Sequence, residues 1–249
     1  MLDEAGRFDE AEAAAKRALE LGSKEAQPHI TLGNVHAKRG RSREAFDAFT
    51  RAVEIEPANA VALTNRGAFH LQAGRLDAAL ADLDRAVELS PKSALALSHR
   101  GSVHIKARRW EQALADLTAA VAIDPTRLVA FQNRGLVLME LDRLGDADAD
   151  FTRAIAIDAS QTGPWVNRAH LRNQMKRFKE ADADACRAIG LDSRMWQAWG
   201  VRGMARANLG RYADAVADFE EAIRLFPAVE PQLREPLAQA RRMAAKGKE

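Results

Sequence analysis

A column of small residues recurs every 34 positions along the chain: Gly33, Gly67, Gly101, Gly135, Ala169 and Gly203. Two alanine columns keep the same step, Ala45, Ala79, Ala113, Ala147, Ala181, Ala215 and Ala52, Ala86, Ala120, Ala154, Ala188, Ala222. A period held over six cycles sets aside a globular fold around one central core. Each cycle is instead a copy of one supersecondary unit that buries its apolar face against its neighbours.

Each cycle carries two amphipathic stretches. In the second cycle the spacing predicts one helix from Ala60 to Ala73 and another from Leu76 to Leu89, broken at Gly74-Arg75. A proline follows most second helices, at Pro57, Pro91, Pro125 and Pro227, with Ala159 and Ser193 in that column elsewhere. Glycine inside a helix costs about 1 kcal/mol against alanine. Its recurrence therefore implies a partner helix passing too close for a side chain. Larger residues fill the remaining space: Leu63, Leu97, Phe131, Trp165 and Trp199 in one column, Leu76, Trp110, Leu144, Phe178 and Tyr212 in another. The tryptophans and the tyrosine read as core or cap packing.

A period of 34 with two helices per unit and this placement of glycine, alanine and proline resembles the tetratricopeptide repeat. The resemblance covers nearly the whole chain. It implies an all-α fold, a right-handed α-solenoid superhelix of antiparallel helix pairs whose first helices line a concave groove. Full repeats are expected at 26–59, 60–93, 94–127, 128–161, 162–195 and 196–229, within one solenoid spanning 1–249. Residues 1–25 align with the second half of a repeat, since Gly6, Phe8, Ala11 and Ala18 stand 34 before Gly40, Ser42, Ala45 and Ala52. That half repeat leaves Phe8, Ala11, Ala15 and Leu19 without an upstream partner. A fragment of a longer protein is the favoured reading, a natural cap the other.

Residues 230–249 read as a C-terminal capping helix, starting near Pro231 or at Pro236, followed by a charged, fraying RRMAAKGKE tail. The fifth cycle has Ala169 in the glycine column, no proline stop and Gly163-Pro164 near its start. It is expected to be the least regular.

The repeats also permit an internal comparison. Arg66, Arg100, Arg134, Arg168 and Arg202 share a column, and sixteen positions later the same cycles carry Asp82, Asp116, Asp150, Asp184 and Asp218. The first cycle has Leu32 and Ala48 at these places. Arginine and aspartate occur together or not at all, so each arginine is expected to pair with the aspartate of its own hairpin. Uncoupled duplication of both residues is the alternative.

Several function classes are disfavoured. With 37 basic and 35 acidic residues the formal net charge is +2, not the one-sided basic footprint of a nucleic-acid binder. One cysteine, Cys186, permits no intramolecular disulfide, and Asp182 and Asp184 nearby are expected to keep its thiol unreactive. No apolar run is long enough to cross a bilayer and the N-terminus lacks the form of a signal peptide, so no membrane role and a cytoplasmic location are expected. His36, His70 and His104 share a column, but equivalent atoms in stacked hairpins lie about 8–10 Å apart, too far to share a metal ion. They are expected at the interhelical seam. No phosphate-cradling loop, zinc-protease motif or nucleophile elbow occurs. The chain is read as not an enzyme, with no cofactor and no metal.

Function is then expected from the groove face. The columns that the resemblance turns inward give Val61, Thr64, Asn65, Ala68 and Leu71, then Leu95, Ser98, His99, Ser102 and Ile105, then Val129, Gln132, Asn133, Leu136 and Met139, with Asn34, Asn167 and His170 at equivalent places. Asn65, Asn133 and Asn167 are suited to a peptide backbone, and Leu136 and Met139 to apolar side chains. Local capping of helix and turn groups is the alternative for the asparagines. His99 and Val201 interrupt the asparagine ladder and Thr31 begins it. The family's clamp for a C-terminal carboxylate matches at Asn34 and Asn65, but its cationic positions hold Ile30, Leu95 and His99, so acidic chaperone tails are not expected as partners.

The leading reading is a non-catalytic interaction scaffold binding an extended protein segment. The alternative is a regulatory or substrate-docking region of a longer enzyme, of the bacterial protein kinase or glycosyltransferase type. Self-association through the N-terminal half repeat is a third reading.

Overall fold

The computed structural model describes residues 2–246, with side-chain surroundings from Arg7 onward. Met1 of the half repeat, the surroundings of Gly6, and the last three residues of the expected tail lie outside the described residues. Every described element is helical. Two compact units divide the chain, one ending at Pro125 and one beginning at Thr126.

The first unit holds α1 (Leu2–Glu20), α2 (Gln27–Lys38), α3 (Ser42–Ile55), α4 (Ala60–Gln72), α5 (Leu76–Leu89), α6 (Ala94–Lys106) and α7 (Trp110–Ile123). The second holds α8 (Leu128–Glu140), α9 (Leu144–Ile157), α10 (Thr162–Gln174), α11 (Phe178–Leu191), α12 (Trp196–Asn208), α13 (Tyr212–Leu225), a 3-10 turn (Pro227–Val229) and α14 (Glu230–Lys246). Within each unit consecutive helices pack as antiparallel pairs, and each second helix also packs against the first helix of the next pair. This is the α-solenoid class.

Local chemistry ends each first helix at the same place. Gly40, Gly74, Arg108, Asp142, Lys176 and Gly210 share a column, and all six take positive φ, between 55° and 77°. In the second repeat Gly74 N–H donates to the Leu71 carbonyl and Arg75 N–H reaches back to His70. This left-handed closure satisfies carbonyls that the helix end would orphan. Asn59 and Ser93 cap α4 and α6, each side chain accepting from the N–H three residues on.

The glycine column has a sharper cause than helix proximity alone. A Cβ on Gly33, Gly135 or Gly203 would lie 2.6–2.7 Å from a ring carbon of Phe49, Phe151 or Phe219, and one on Gly67 or Gly101 would lie 2.8 Å from Leu83 or Leu117 Cγ. These partners are all essentially buried. The small residue exists to admit a large one from the second helix.

The fifth repeat departs from expectation. Its helices, α10 and α11, have 13 and 14 residues, like those of its neighbours. Pro164 sits in the first turn of α10, where its missing N–H costs nothing, and it is fully buried. The position facing the glycine column is Ala185 there, not phenylalanine or leucine, which leaves room for the methyl of Ala169. Both alanines are completely buried.

The ends also differ in detail. Along α1, Ala15 is buried and Phe8, Ala11 and Leu19 are half-buried, since α1 packs on α2. Arg39 at the end of α2 pairs with Asp9 and Glu12. At the other terminus α14 begins at Glu230, runs through Pro236 and stays helical to Lys246, so most of the expected fraying tail is ordered helix. Leu237 and Ala240 bury one face of α14 against Ala215 and Phe219.

Candidate functional site

The arginine and aspartate columns meet in every repeat that carries them. Arg66 donates from Nε and Nη2 to the two oxygens of Asp82 at 2.7 and 2.6 Å. Arg100 does the same to Asp116, Arg134 to Asp150, Arg168 to Asp184 and Arg202 to Asp218, at 2.7–3.1 Å. All five carboxylates are buried. Two-point pairing of this kind fixes the orientation of one helix against the other.

The column four residues after each arginine adjusts the pair. It holds His70 and His104 in the first unit, with Nε2 at 3.9 and 3.7 Å from Asp82 and Asp116. In the second unit it holds Leu138, Arg172 and Arg206. Arg172 reaches both Asp184 of its own repeat and Asp148 of the preceding one, at 2.8 and 2.9 Å. Arg206 repeats this with Asp218 and Asp182. Burial alone would raise the Asp148 carboxyl, but Arg172 and Arg177 outweigh it and hold it below the usual range. Asp182 and Asp184 are therefore tied to arginines, and the near neighbour of Cys186 Sγ is Arg202 Nη1, at 3.5 Å. His70 packs edge-on against the Phe46 ring, centroids 5.1 Å apart, at a seam between repeats.

The expected groove residues fall into two groups, one per unit. In the first unit Asn65 Nδ2 donates to Asn34 Oδ1 at 3.2 Å. Leu95 is exposed, while His99 and Ile105 are half-buried, and Leu71 packs partly into the core beside Val103. Thr64 and Ser98, expected to face the groove, are buried instead. The Thr64 hydroxyl donates back to the Ala60 carbonyl, and the Ser98 carbonyl accepts from Ser102. Ile30, in a clamp position, is buried as well.

In the second unit Val129 is 56% exposed, Asn133 is half-buried and Gln132 lies against Gly163, where a Cβ would stand 3.1 Å from its Nε2. Leu136, Met139, Asn167 and His170 come together as part of one pocket of about 560 Å³. The first helices α8, α10 and α12 form its base, and the 3-10 turn and start of α14 form its end wall. Desolvation lowers the His170 imidazole below its ordinary range, although the residue as a whole is exposed.

Much of this pocket comes from residues that sequence reasoning did not assign to it: Trp196, Gly200, Met204, Val229 and Leu233. Trp196 lines the pocket and stacks on Phe226 at 5.2 Å. Trp165 and Trp199 carry Arg168 and Arg202 over their rings, at 5.0 and 4.6 Å, and their Nε1 groups donate to the Ala159 and Ser193 carbonyls. One signal was available in the sequence. Gly200 stands in the column of Ile30, Thr64, Ser98, Gln132 and Val166, a glycine where every other repeat has a side chain.

Among the described residues no helix is long and apolar enough to cross a membrane, and no group of three or more His, Cys, Asp or Glu is placed to hold a metal ion.

Comparison with known proteins agrees with this geometry. Tetratricopeptide repeat family models match residues 2–60, 30–94 and 64–128, and further such models match 163–194 and 196–229. A search of curated protein sequences found no match. Among solved structures, a chain of the APC/C Cut9–Hcn1 hetero-tetramer superposes with a TM-score of 0.80 at 15% identity, over 96% of this chain and 47% of that one. This chain thus spans about half the length of that relative. Pseudomonas aeruginosa pilF gives 0.70 at 19% identity, over 88% and 94% of the two chains. YrrB, a TPR protein with an unusual peptide-binding site, gives 0.60 at 22%, over 74% and 94%. At these identities the likeness is one of fold. With family models matching over most of its repeats, the chain belongs to the tetratricopeptide repeat family.

Proposed function

We propose that this chain takes an extended protein segment against the first-helix face and performs no chemistry of its own. Tetratricopeptide repeats mark a protein–protein interaction scaffold, and the finer reading concerns where the partner lies. The observation that carries it is the pocket of the second unit: a concave, largely apolar surface on α8, α10 and α12, edged by amide side chains. Concave apolar sites with a few placed polar groups are the usual form of ligand sites. In the first unit the bonded Asn34 and Asn65 and the exposed Leu95 lie on the corresponding face.

The test is co-purification with wild type, with Leu136→Glu/Met139→Glu, and with Leu95→Glu. Loss of the same partners with melting temperature unchanged supports the groove. An unchanged partner list overturns it.

A further inference from the structure

Two glycines stand three residues apart in α12, and only one is required by packing. Gly203 faces Phe219, and a Cβ there would lie 2.6 Å from the ring. A Cβ on Gly200 would meet nothing within 4 Å. Glycine weakens a helix interior, so Gly200 carries that penalty with no neighbour to justify it inside the fold. What its missing side chain creates is the floor of the pocket.

The surroundings are equally selective. None of the sixteen residues lining the pocket is Asp, Glu, Lys or Arg, in a chain of which 29% of residues are charged. His170 is the one imidazole there, and desolvation lowers its pKa. Trp196, held by Phe226, together with Met204 and Leu233 supplies apolar walls, and methionine adapts to varied shapes. Asn167 and Gln197 are among the amides at hand to pair with a peptide backbone. A charged side chain entering this site would lose water and find no countercharge.

We propose that the pocket over Gly200 is an anchor site for one large apolar side chain of a partner protein, presented on an uncharged stretch of its backbone. This rests on the groove reading above and adds the chemistry of what is recognised. Selectivity then resides in the sixth repeat and the start of α14. In the other repeats this column carries a side chain, Ile30, Thr64, Ser98, Gln132 or Val166.

The test uses random dodecapeptides displayed on phage and selected on the immobilised full chain, followed by fluorescence polarisation of the selected peptides. The expected peptides carry a large apolar residue with no Asp, Glu, Lys or Arg beside it. Gly200→Leu should weaken them about tenfold or more, the effect of denying burial to one such side chain, and the smaller Gly200→Ala should weaken them less. Melting by circular dichroism checks that both variants remain folded. Peptides that bind Gly200→Leu as well as wild type, or that carry charge at the anchor, overturn the pocket. If such peptides are still lost to Val129→Glu, outside the pocket, the groove reading survives. No enrichment on any form overturns both.

Discussion

Gly135 on α8 lies against Phe151 on α9 so closely that a Cβ on the glycine would stand 2.7 Å from the ring. The equivalent pair one repeat later is Ala169 and Ala185, both fully buried. The two pairs are alternative solutions to one packing problem. A hairpin seam of fixed width accepts a glycine with a phenyl ring or two methyl groups, but not a methyl with a ring.

The sign of Gly135→Ala should therefore depend on residue 151. In the wild-type background, overpacking costs about 1–3 kcal/mol against a helix-propensity gain of about 1 kcal/mol, so melting should show a net loss. Phe151→Ala alone should cost about 3–5 kcal/mol. In that background Gly135→Ala should stabilise, and a second loss there refutes the complementarity.

Breaking a buried ion pair should cost most where the aspartate has one cation. Asp150 is held by Arg134 with Leu138 in the adjusting column, whereas Asp184 is held by both Arg168 and Arg172. Arg134→Leu should cost about 3 kcal/mol by leaving a buried carboxylate uncompensated, and Arg168→Leu clearly less. In a double-mutant cycle, Arg134→Leu with Asp150→Ala should cost less than the sum of the single changes. Additivity would mean that the pair is uncoupled.

Arg108, Asp142 and Lys176 close their helices at φ of 55–57°, where three other repeats use glycine. Left-handed backbone costs a side chain about 1–2 kcal/mol, less for aspartate. Lys176→Gly and Arg108→Gly should each raise stability by about 1 kcal/mol, and Asp142→Gly by less. Chemical denaturation measures the order, and equal losses for all three would contradict it.

The two glycines of α12 should respond in opposite directions. Gly200→Ala adds a methyl in open space and should stabilise by up to about 1 kcal/mol, while Gly203→Ala drives a methyl into Phe219 and should destabilise. Thermal melting of the two single variants is sufficient. The same sign for both would remove the argument that Gly200 is free of packing.

Acid should weaken the first unit through its histidines. Burial, then Arg75, lowers His70 with Asp82 opposing, and burial lowers His104 with Asp116 opposing. The unfolded chain takes up these protons near about pH 6.5 and the folded chain resists them. Stability is thus complete above that value and is lost as pH falls through the folded values. His70→Leu/His104→Leu, which copies the leucine that the fourth repeat carries at Leu138, should lose less melting temperature between about pH 7 and pH 5 than wild type. An equal or larger loss in the variant would assign the acid sensitivity elsewhere.

What repetition encodes sets how much of the fold is legible in the residues alone. The helix boundaries of the second repeat, Ala60–Gln72 and Leu76–Leu89, were legible to within one residue because periodicity, the Gly74 break and the proline stop all act within a few residues. The arginine and aspartate columns were legible because repeats that lack one lack both. The left-handed turn at Arg108, Asp142 and Lys176 was not, since those side chains give no local sign of positive φ. Nor was the inward turn of Thr64 and Ser98, where the Thr64 hydroxyl donates to the Ala60 carbonyl and the Ser98 carbonyl accepts from Ser102 within their own helices.

The amino-acid sequence by itself determined the repeat, its helical hairpins and the pairing chemistry in the five repeats that carry both Arg and Asp, because those rest on interactions inside one 34-residue unit or between similar neighbours. Tertiary structure alone decided the pocket. It gathers Leu136, His170, Gly200 and Leu233 from four helices, and one of these, α14, lies outside the periodic pattern. A void is made by side chains that are absent and by a helix that closes over them. Gly200 reads as one more small residue until the packing around Gly203 shows which of the two glycines the fold requires.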